Sequence, residues 1–252
     1  MNISISILTW NRREDTKFLM DSLVYEYESL LKDNNVFINV CDNGSSDGTL
    51  EYLQNDCPLS VHVFSMLENK GISVSKNVLI DAAIENGSDF MFMFDNDVSP
   101  IKGSLIKMLE FIKVNTDIGC FGQHIDFYNN DKKSDFICKK FPELEFLNIS
   151  YNVKSGCGAI RAWTHYSIYR MDLFKKGIRF DVSGPFSKRG YGFDDDDLGM
   201  QIFNAGYKIA CFKDVRCYHN RCSSVEELKR NGELNYSERE RYFKGKWINI
   251  KE

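Results

Sequence analysis

Long apolar runs are missing from this chain of 252 residues. The longest, such as residues 90–94, fall far short of the ~20 that a membrane-spanning helix requires, so no spanning segment is expected. Surplus basic charge is missing too. Against 32 Lys and Arg stand 36 Asp and Glu, a formal net charge of −4 with pI ≈ 5.7. That balance does not call for a broad nucleic-acid-binding face, although it leaves room for a local basic patch. The first residues hold neither the basic start nor the apolar block of a secretory leader. Eight cysteines (41, 57, 120, 138, 157, 211, 217 and 222) contain no Cys-x-x-Cys pair. Cys41, Cys120 and Cys211 sit inside apolar runs, where a thiol behaves as a small buried hydrophobe. Reduced thiols and a cytoplasmic setting are therefore expected. There is no internal repeat and no low-complexity tract. No G-x-G-x-x-G follows the first apolar run, which argues against a dinucleotide-dependent oxidoreductase.

What the chain does have is ordinary globular composition, 43% hydrophobic and 27% charged. Its length suits one α/β domain, or one core with an appendage. Strand-like runs at 3–8, 36–41, 61–65 and 90–94 alternate with helical spacing at 15–32, 75–85 and 102–114. This order predicts a mostly parallel sheet covered on both faces. Ligands bind such sheets at the carboxyl ends of the strands. Further strands are expected at 118–123, 158–169 and 208–218, with loops at 129–134 and 184–192, the latter flexible through its Gly and Ser content. The tail, 221–252, holds eight basic and six acidic residues together with Tyr236, Tyr242, Phe243 and Trp247.

Four polar clusters follow the first four strands. They are Thr9-Trp10-Asn11-Arg12, the run Asp42 to Thr49, the run Glu68 to Asn77, and Asp95-Asn96-Asp97. Turn and capping chemistry explains any one of them, but recurrence at four successive strand ends asks for a site. In the last cluster a period of two would point Asp95 and Asp97 the same way and Asn96 opposite. Two adjacent carboxylates repel each other, and a hard divalent cation relieves the repulsion. Mg²⁺ or Mn²⁺ bridging to diphosphate oxygens commonly uses one or two carboxylates. The competing reading is an exposed strand end with solvated charges. Four acids, Asp194 to Asp197, then precede a helical pattern. Helix-dipole stabilisation accounts for a bare acidic run. Here the loop Gly190-Tyr191-Gly192-Phe193 comes first, and crowded carboxylates with raised pKa values suit a general base. His219 follows the last expected strand, and a lone His is more often structural than a ligand. Cys217, His219 and Cys222 match no common zinc spacing.

The ordered set Ile7–Arg12, Val40–Thr49, Asn69–Asn77, Phe94–Asp97 and then Gly-Tyr-Gly-Phe with its acids resembles a nucleotide-sugar glycosyltransferase of GT-A fold, family-2-like in its first half. The segment Gly190–Leu198 is similar to the acidic motif of the β-1,4-galactosyltransferase group. The resemblance spans residues 3–220. It departs from the pattern at Leu8-Thr9-Trp10, where Pro-Thr-Tyr is frequent, and at Asp194, where Glu is usual.

The resemblance implies an α/β, Rossmann-like GT-A domain over 1–220, its mixed and mostly parallel sheet flanked by helices. Residues 1–125 would form the nucleotide-binding half and 126–220 the acceptor and catalytic half. Residues 221–252 would be a helical or irregular tail packed on the domain or on a partner. Thr9, Asn11 and Arg12 would line the nucleotide pocket, Asp42 would face the base, and Asn69 and Lys76 would border the diphosphate. Asp95 would approach the ribose or a metal-bound water. Asp97 and His219 would ligate Mn²⁺ or Mg²⁺. Asp195 would be the catalytic base, with Asp194, Asp196 and Tyr191 toward the acceptor. The partners implied are a UDP-sugar or related donor and a hydroxyl acceptor on a glycan, lipid-linked sugar, protein or other molecule. Two alternatives come from other classes. A sugar-nucleotide-forming nucleotidyltransferase should carry a Gly-rich basic loop after the first strand, and Thr9 to Arg12 has no glycine. A non-catalytic carbohydrate- or metal-binding module would leave the acids and amides at four strand ends unexplained.

Overall fold

The computed structural model describes residues 1–123, 164–187, 189–190, 192–212, 217–219 and 235–247. In chain order the elements are β1 (Asn2–Thr9), α1 (Arg13–Leu31), β2 (Asn35–Asp42), α2 (Thr49–Asn55), β3 (His62–Ser65), α3 (Ile72–Glu85), β4 (Phe90–Asp95), β5 (Val98–Pro100) and α4 (Ser104–Val114). They continue with β6 (Ile118–Gln123), β7 (Tyr166–Arg170), α5 (Met171–Lys175), α6 (Asp194–Asn204), β8 (Lys208–Phe212), β9 (Cys217–His219) and α7 (Tyr236–Trp247). Among the described residues no helix is long and apolar enough to cross a membrane.

Among the described residues seven strands form one sheet in the order β3-β2-β1-β4-β7-β6-β8. All run parallel except β7, which is antiparallel to both β4 and β6. The centre explains why the first strand alternates. Ile3, Ile5 and Ile7 pack with Leu19, Met20 and Leu23 of α1. Ser4 and Ser6, on the other face, are equally buried because α3 lies there. The Ser4 hydroxyl is bonded to that of Ser88 (2.8 Å) and accepts from the Asn39 amide (3.3 Å). Small residues thus let a helix come close; Ser4 finds partners for its hydroxyl, whereas that of Ser6 is buried with no hydrogen-bond partner among the described residues. Along α1, Leu23 and Leu30 face the core while Phe18 and Leu31 face out. Buried Glu26 accepts from the backbone N–H groups of Leu105 (3.0 Å) and Gly103, fastening α1 to the amino end of α4, where a carboxylate is favoured.

The second half departs from expectation in three places. The strand expected at 158–169 is seen as β7, and residues 158–163 and the loop 129–134 lie outside the described residues. The strand expected at 208–218 is two strands. β8 completes the sheet, whereas β9 leaves it and pairs antiparallel with β5, setting His219 opposite Val98. The segment 184–187, expected to be flexible, is a 3₁₀ turn with Pro185 and Phe186 buried. Phe186 packs with Phe193, Met200 and Phe243, and against Tyr236, Tyr242 and Trp247. The partner is α7, an element too charged on average to announce an apolar face.

Asp197 ties α7 to α6. It is almost fully buried, and its carboxylate accepts from Trp247 Nε1 (2.7 Å), Lys246 Nζ (2.7 Å) and Gln201 Nε2 (2.8 Å). Removing one partner of a buried charged network leaves the others unsatisfied. Asp197→Ala is therefore expected to lower unfolding stability by about 2–4 kcal/mol, read as a shift of the urea midpoint. An unchanged midpoint would mean that α7 is not fastened through Asp197.

Candidate active site

The carboxyl ends of β1, β2 and β4 are knitted together by side chains. After β1 the backbone turns left-handed at Asn11 (φ 56°) and Arg12 (φ 60°), an uncommon conformation for a long side chain. The Asn11 N–H donates to Ser45 Oγ (2.7 Å), and Asn11 Oδ1 accepts the N–H of Ser46 (2.9 Å). Asn96 braces the turn from the other side. Its amide donates to Thr9 Oγ1 (3.0 Å), Thr16 Oγ1 (3.1 Å) and the Asn11 carbonyl (3.0 Å). Thr9 is consequently enclosed, and Arg12 is aimed across the strand ends.

Asp42, at the end of β2, is buried and accepts from the Ser45 hydroxyl and N–H. Burial pushes its carboxyl up, only partly opposed by those hydrogen bonds. Asn43 and Asn69 form a brace below it. Asn43 Nδ2 donates to Asn69 Oδ1 (3.0 Å), which also accepts the Gly71 N–H (2.9 Å), while Asn43 Oδ1 accepts the Lys70 N–H (2.9 Å). Gly44 permits the close approach. Its φ is +79°, and a Cβ there would lie 2.6 Å from the Glu68 carbonyl carbon.

The two acids after β4 do not share a direction. β4 ends at Asp95, and Asp97 lies in the turn beyond it, so the strand period stops between them. Each meets a different cation. Lys76 Nζ is 3.0 Å from Asp95 Oδ1, and Arg12 Nη1 is 2.7 Å from Asp97 Oδ2. The β5–β9 ribbon brings His219 Nε2 to 3.5 Å from Asp97 Oδ1, and the His219 ring stacks on His165 at 5.2 Å. Burial opposes ionisation of Asp97, yet His219 and Arg12 together hold its carboxyl below the usual range. One carboxylate and one imidazole are a donor set that suits Mn²⁺ as well as Mg²⁺. Among the described residues no three His, Cys, Asp or Glu side chains converge as a metal cage. Two protein ligands fit an ion that completes its shell with phosphate oxygens and water. Of the three residues at the weak zinc spacing, Cys217 is a half-buried thiol and Cys222 lies outside the described residues.

Helix geometry separates the four acids rather than crowding them. Asp195 Oδ1 accepts from Thr164 Oγ1 (2.6 Å), and that hydroxyl accepts from Lys76 Nζ. Burial pulls the Lys76 ammonium down, but Asp95, Asp195 and Asp194 outweigh it and hold its pKa above the ordinary lysine value. Asp194 faces the enclosed guanidinium of Arg239 (3.7 Å), which also donates to the Gly192 carbonyl (3.3 Å). Asp196 is buried, and Asp197 holds α7. The fold thus gathers Arg12, Asp42, Lys76, Asp95, Asp97, His219 and Asp195 at one end of the sheet. Tyr191 lies outside the described residues.

Sequence reasoning missed Asn96, Thr164 and Arg239, which act on their neighbours from far along the chain. It also missed Trp10, whose ring carries the Arg189 guanidinium 4.1 Å from its centroid. A signal existed for Asn96, in its place between the two acids, and for Trp10, within the cluster that follows the first strand.

A mostly parallel sheet flanked by helices is the GT-A fold shared with similar solved structures. The model of "Glycosyl transferase family 2" matches residues 4–178, and the chain belongs to that family. It is 24% identical to the uncharacterized glycosyltransferase YfnE of Bacillus subtilis (strain 168), over 81% of this chain and 64% of that protein. Among solved structures it is similar to the mannosyltransferase PcManGT from Pyrobaculum calidifontis in complex with GDP-Man and Mn²⁺. The TM-score is 0.63 at 14% identity, over 90% of this chain and 60% of that one. It is also similar to S. aureus TarS 1-349 in complex with UDP-GlcNAc, with a TM-score of 0.56 at 19% identity, over 86% of this chain and 58% of that one. The chain thus spans less than two thirds of the length of each of these relatives.

Proposed function

We propose that this chain is a metal-dependent glycosyltransferase that moves a sugar from a nucleoside-diphosphate sugar, a UDP-sugar by preference, to an acceptor hydroxyl with inversion. The observation that carries the reading is the convergence of the Asp97–His219 pair and Asp195 at one end of the sheet. GDP-Man and UDP-GlcNAc in the two similar structures support a nucleotide-sugar donor. The likeness of Gly190–Leu198 to the β-1,4-galactosyltransferase motif supports Asp195 as base.

Asp42 faces the nucleobase and, as a largely buried acceptor, selects a ring N–H. Asn11 and Arg12 line the nucleotide pocket, with Thr9 shaping it from beneath through Asn96. Asn69 supports the diphosphate side, as does Lys76 through Asp95. Asp97 and His219 would hold Mn²⁺ or Mg²⁺, which when bound supplies neutralisation of the departing nucleoside diphosphate. Asp195 takes the acceptor's hydroxyl proton as that oxygen bonds the anomeric carbon. The bond from that carbon to the diphosphate breaks on the opposite face, and the electron pair leaves with the diphosphate. The same likeness assigns Asp194, Asp196 and Tyr191 to acceptor binding.

The test is a panel of UDP-glucose, UDP-galactose, UDP-GlcNAc and GDP-mannose, assayed for hydrolysis with and without Mn²⁺. Mn²⁺-dependent release of a nucleoside diphosphate from at least one donor is expected. Formation of a sugar nucleotide from sugar phosphate and a nucleoside triphosphate would instead make it a nucleotidyltransferase. Binding with no turnover would make it a binding module.

A further inference from the structure

We infer that Thr164 is a positioning residue for the general base, orienting Asp195 and joining it through Lys76 to the donor-side acid Asp95. The inference rests on the proposed role of Asp195. It starts from how many protons each group has. A lysine ammonium can only donate, so at the Lys76–Thr164 contact Thr164 Oγ1 is the acceptor. A hydroxyl has one proton, and that proton is then directed at Asp195 Oδ1, 2.6 Å away. The direction of the chain is therefore set: Lys76 to Thr164 to Asp195.

Burial makes this chain matter. Lys76 and Thr164 are 1% and 2% exposed, so water does not compete for either contact, and linked hydrogen bonds in such surroundings strengthen one another. The same ammonium is 3.0 Å from Asp95 Oδ1. One enclosed cation thus serves two acids, Asp95 directly and Asp195 through a hydroxyl. The Thr164 hydroxyl restricts rotation of the Asp195 carboxylate. The three elements involved, α3, the residue leading into β7, and α6, are far apart in sequence, and Thr164 is where they meet.

The experiment compares Thr164→Val with Thr164→Ser, using the fastest-hydrolysed member of the nucleotide-sugar panel, water standing in for the acceptor. Thr164→Val removes the hydroxyl and is expected to lower kcat by up to about 10²-fold, the scale of a misplaced catalytic group. KM for the donor and calorimetric affinity for UDP with Mn²⁺ should stay unchanged. Thr164→Ser keeps the donor and should restore kcat to near wild type. Where Thr164→Val folds poorly, Thr164→Cys, with only a weak donor, supplies the same contrast. In an Asp195→Asn background Thr164→Val should cost little more, since the group it orients is already disabled. Three results overturn the inference: wild-type kcat in Thr164→Val while Asp195→Asn is inactive, a Ser variant as slow as the Val variant, or full additivity in the double variant. Near wild-type turnover in Asp195→Asn, or no turnover of any panel member by the wild type, instead overturns the reading on which it rests.

Discussion

Asp195→Asn is expected to keep nucleotide affinity and to lose transfer by about 10²–10⁴-fold in kcat, the usual contribution of a positioned base. The amide has the shape of the carboxylate, and its oxygen can still accept from Thr164, so the first turn of α6 should hold. What it lacks is the basicity to take the acceptor's proton. The loss should therefore fall on kcat and leave calorimetric binding of UDP with Mn²⁺ untouched, the pattern of an interaction made in the transition state alone. Turnover near that of the wild type would move the base to Asp194 or Asp196. The first of these faces Arg239 and the second is buried, so either would have to turn to reach an acceptor.

Asp97→Ala is expected to abolish the gain in UDP affinity that Mn²⁺ confers. The Asp97 carboxylate meets both Arg12 and His219. Without it the imidazole is left as a single neutral ligand, too little to fix a hard divalent ion. Affinity for UDP alone should not fall, because the substitution removes a negative charge beside the diphosphate and withdraws a competitor for the Arg12 guanidinium. Calorimetry of UDP with and without Mn²⁺ separates the two effects. Metal-dependent affinity equal to that of the wild type would end the assignment of Asp97 as a ligand.

Most of the first half of the fold was legible in the chain. β1 to β4, with α1 and α3, follow from apolar periodicity, whereas the short α2 between β2 and β3 was not foreseen. β7 and β9 were less legible, since no local pattern says where a strand will run antiparallel or leave a sheet. The site divided in the same way. The clusters after β1, β2 and β4 were visible as acids and amides at strand ends. The period that made Asp95 and Asp97 alike holds only while the strand lasts, and it ends between them. Thr164 and Arg239 gave no signal. A threonine before a strand and an arginine in a charged helix are ordinary residues until burial turns them into partners of Asp195 and Asp194.

The insertion of β7 between β4 and β6 also bears on how the molecule assembles. Contacts between residues close in sequence form sooner than those that must close long loops. Lys76 and Asp95 sit on consecutive elements, α3 and β4, and can meet within a single crossover. Thr164 reaches them only when β7 docks along β4, with Phe92 opposite Ile168. Until that edge closes, a chain with β1 to β4 in place has Lys76 beside Asp95 and no hydroxyl link to Asp195. The strand that enters the sheet between β4 and β6 is thus the one whose leading residue joins Lys76 to Asp195.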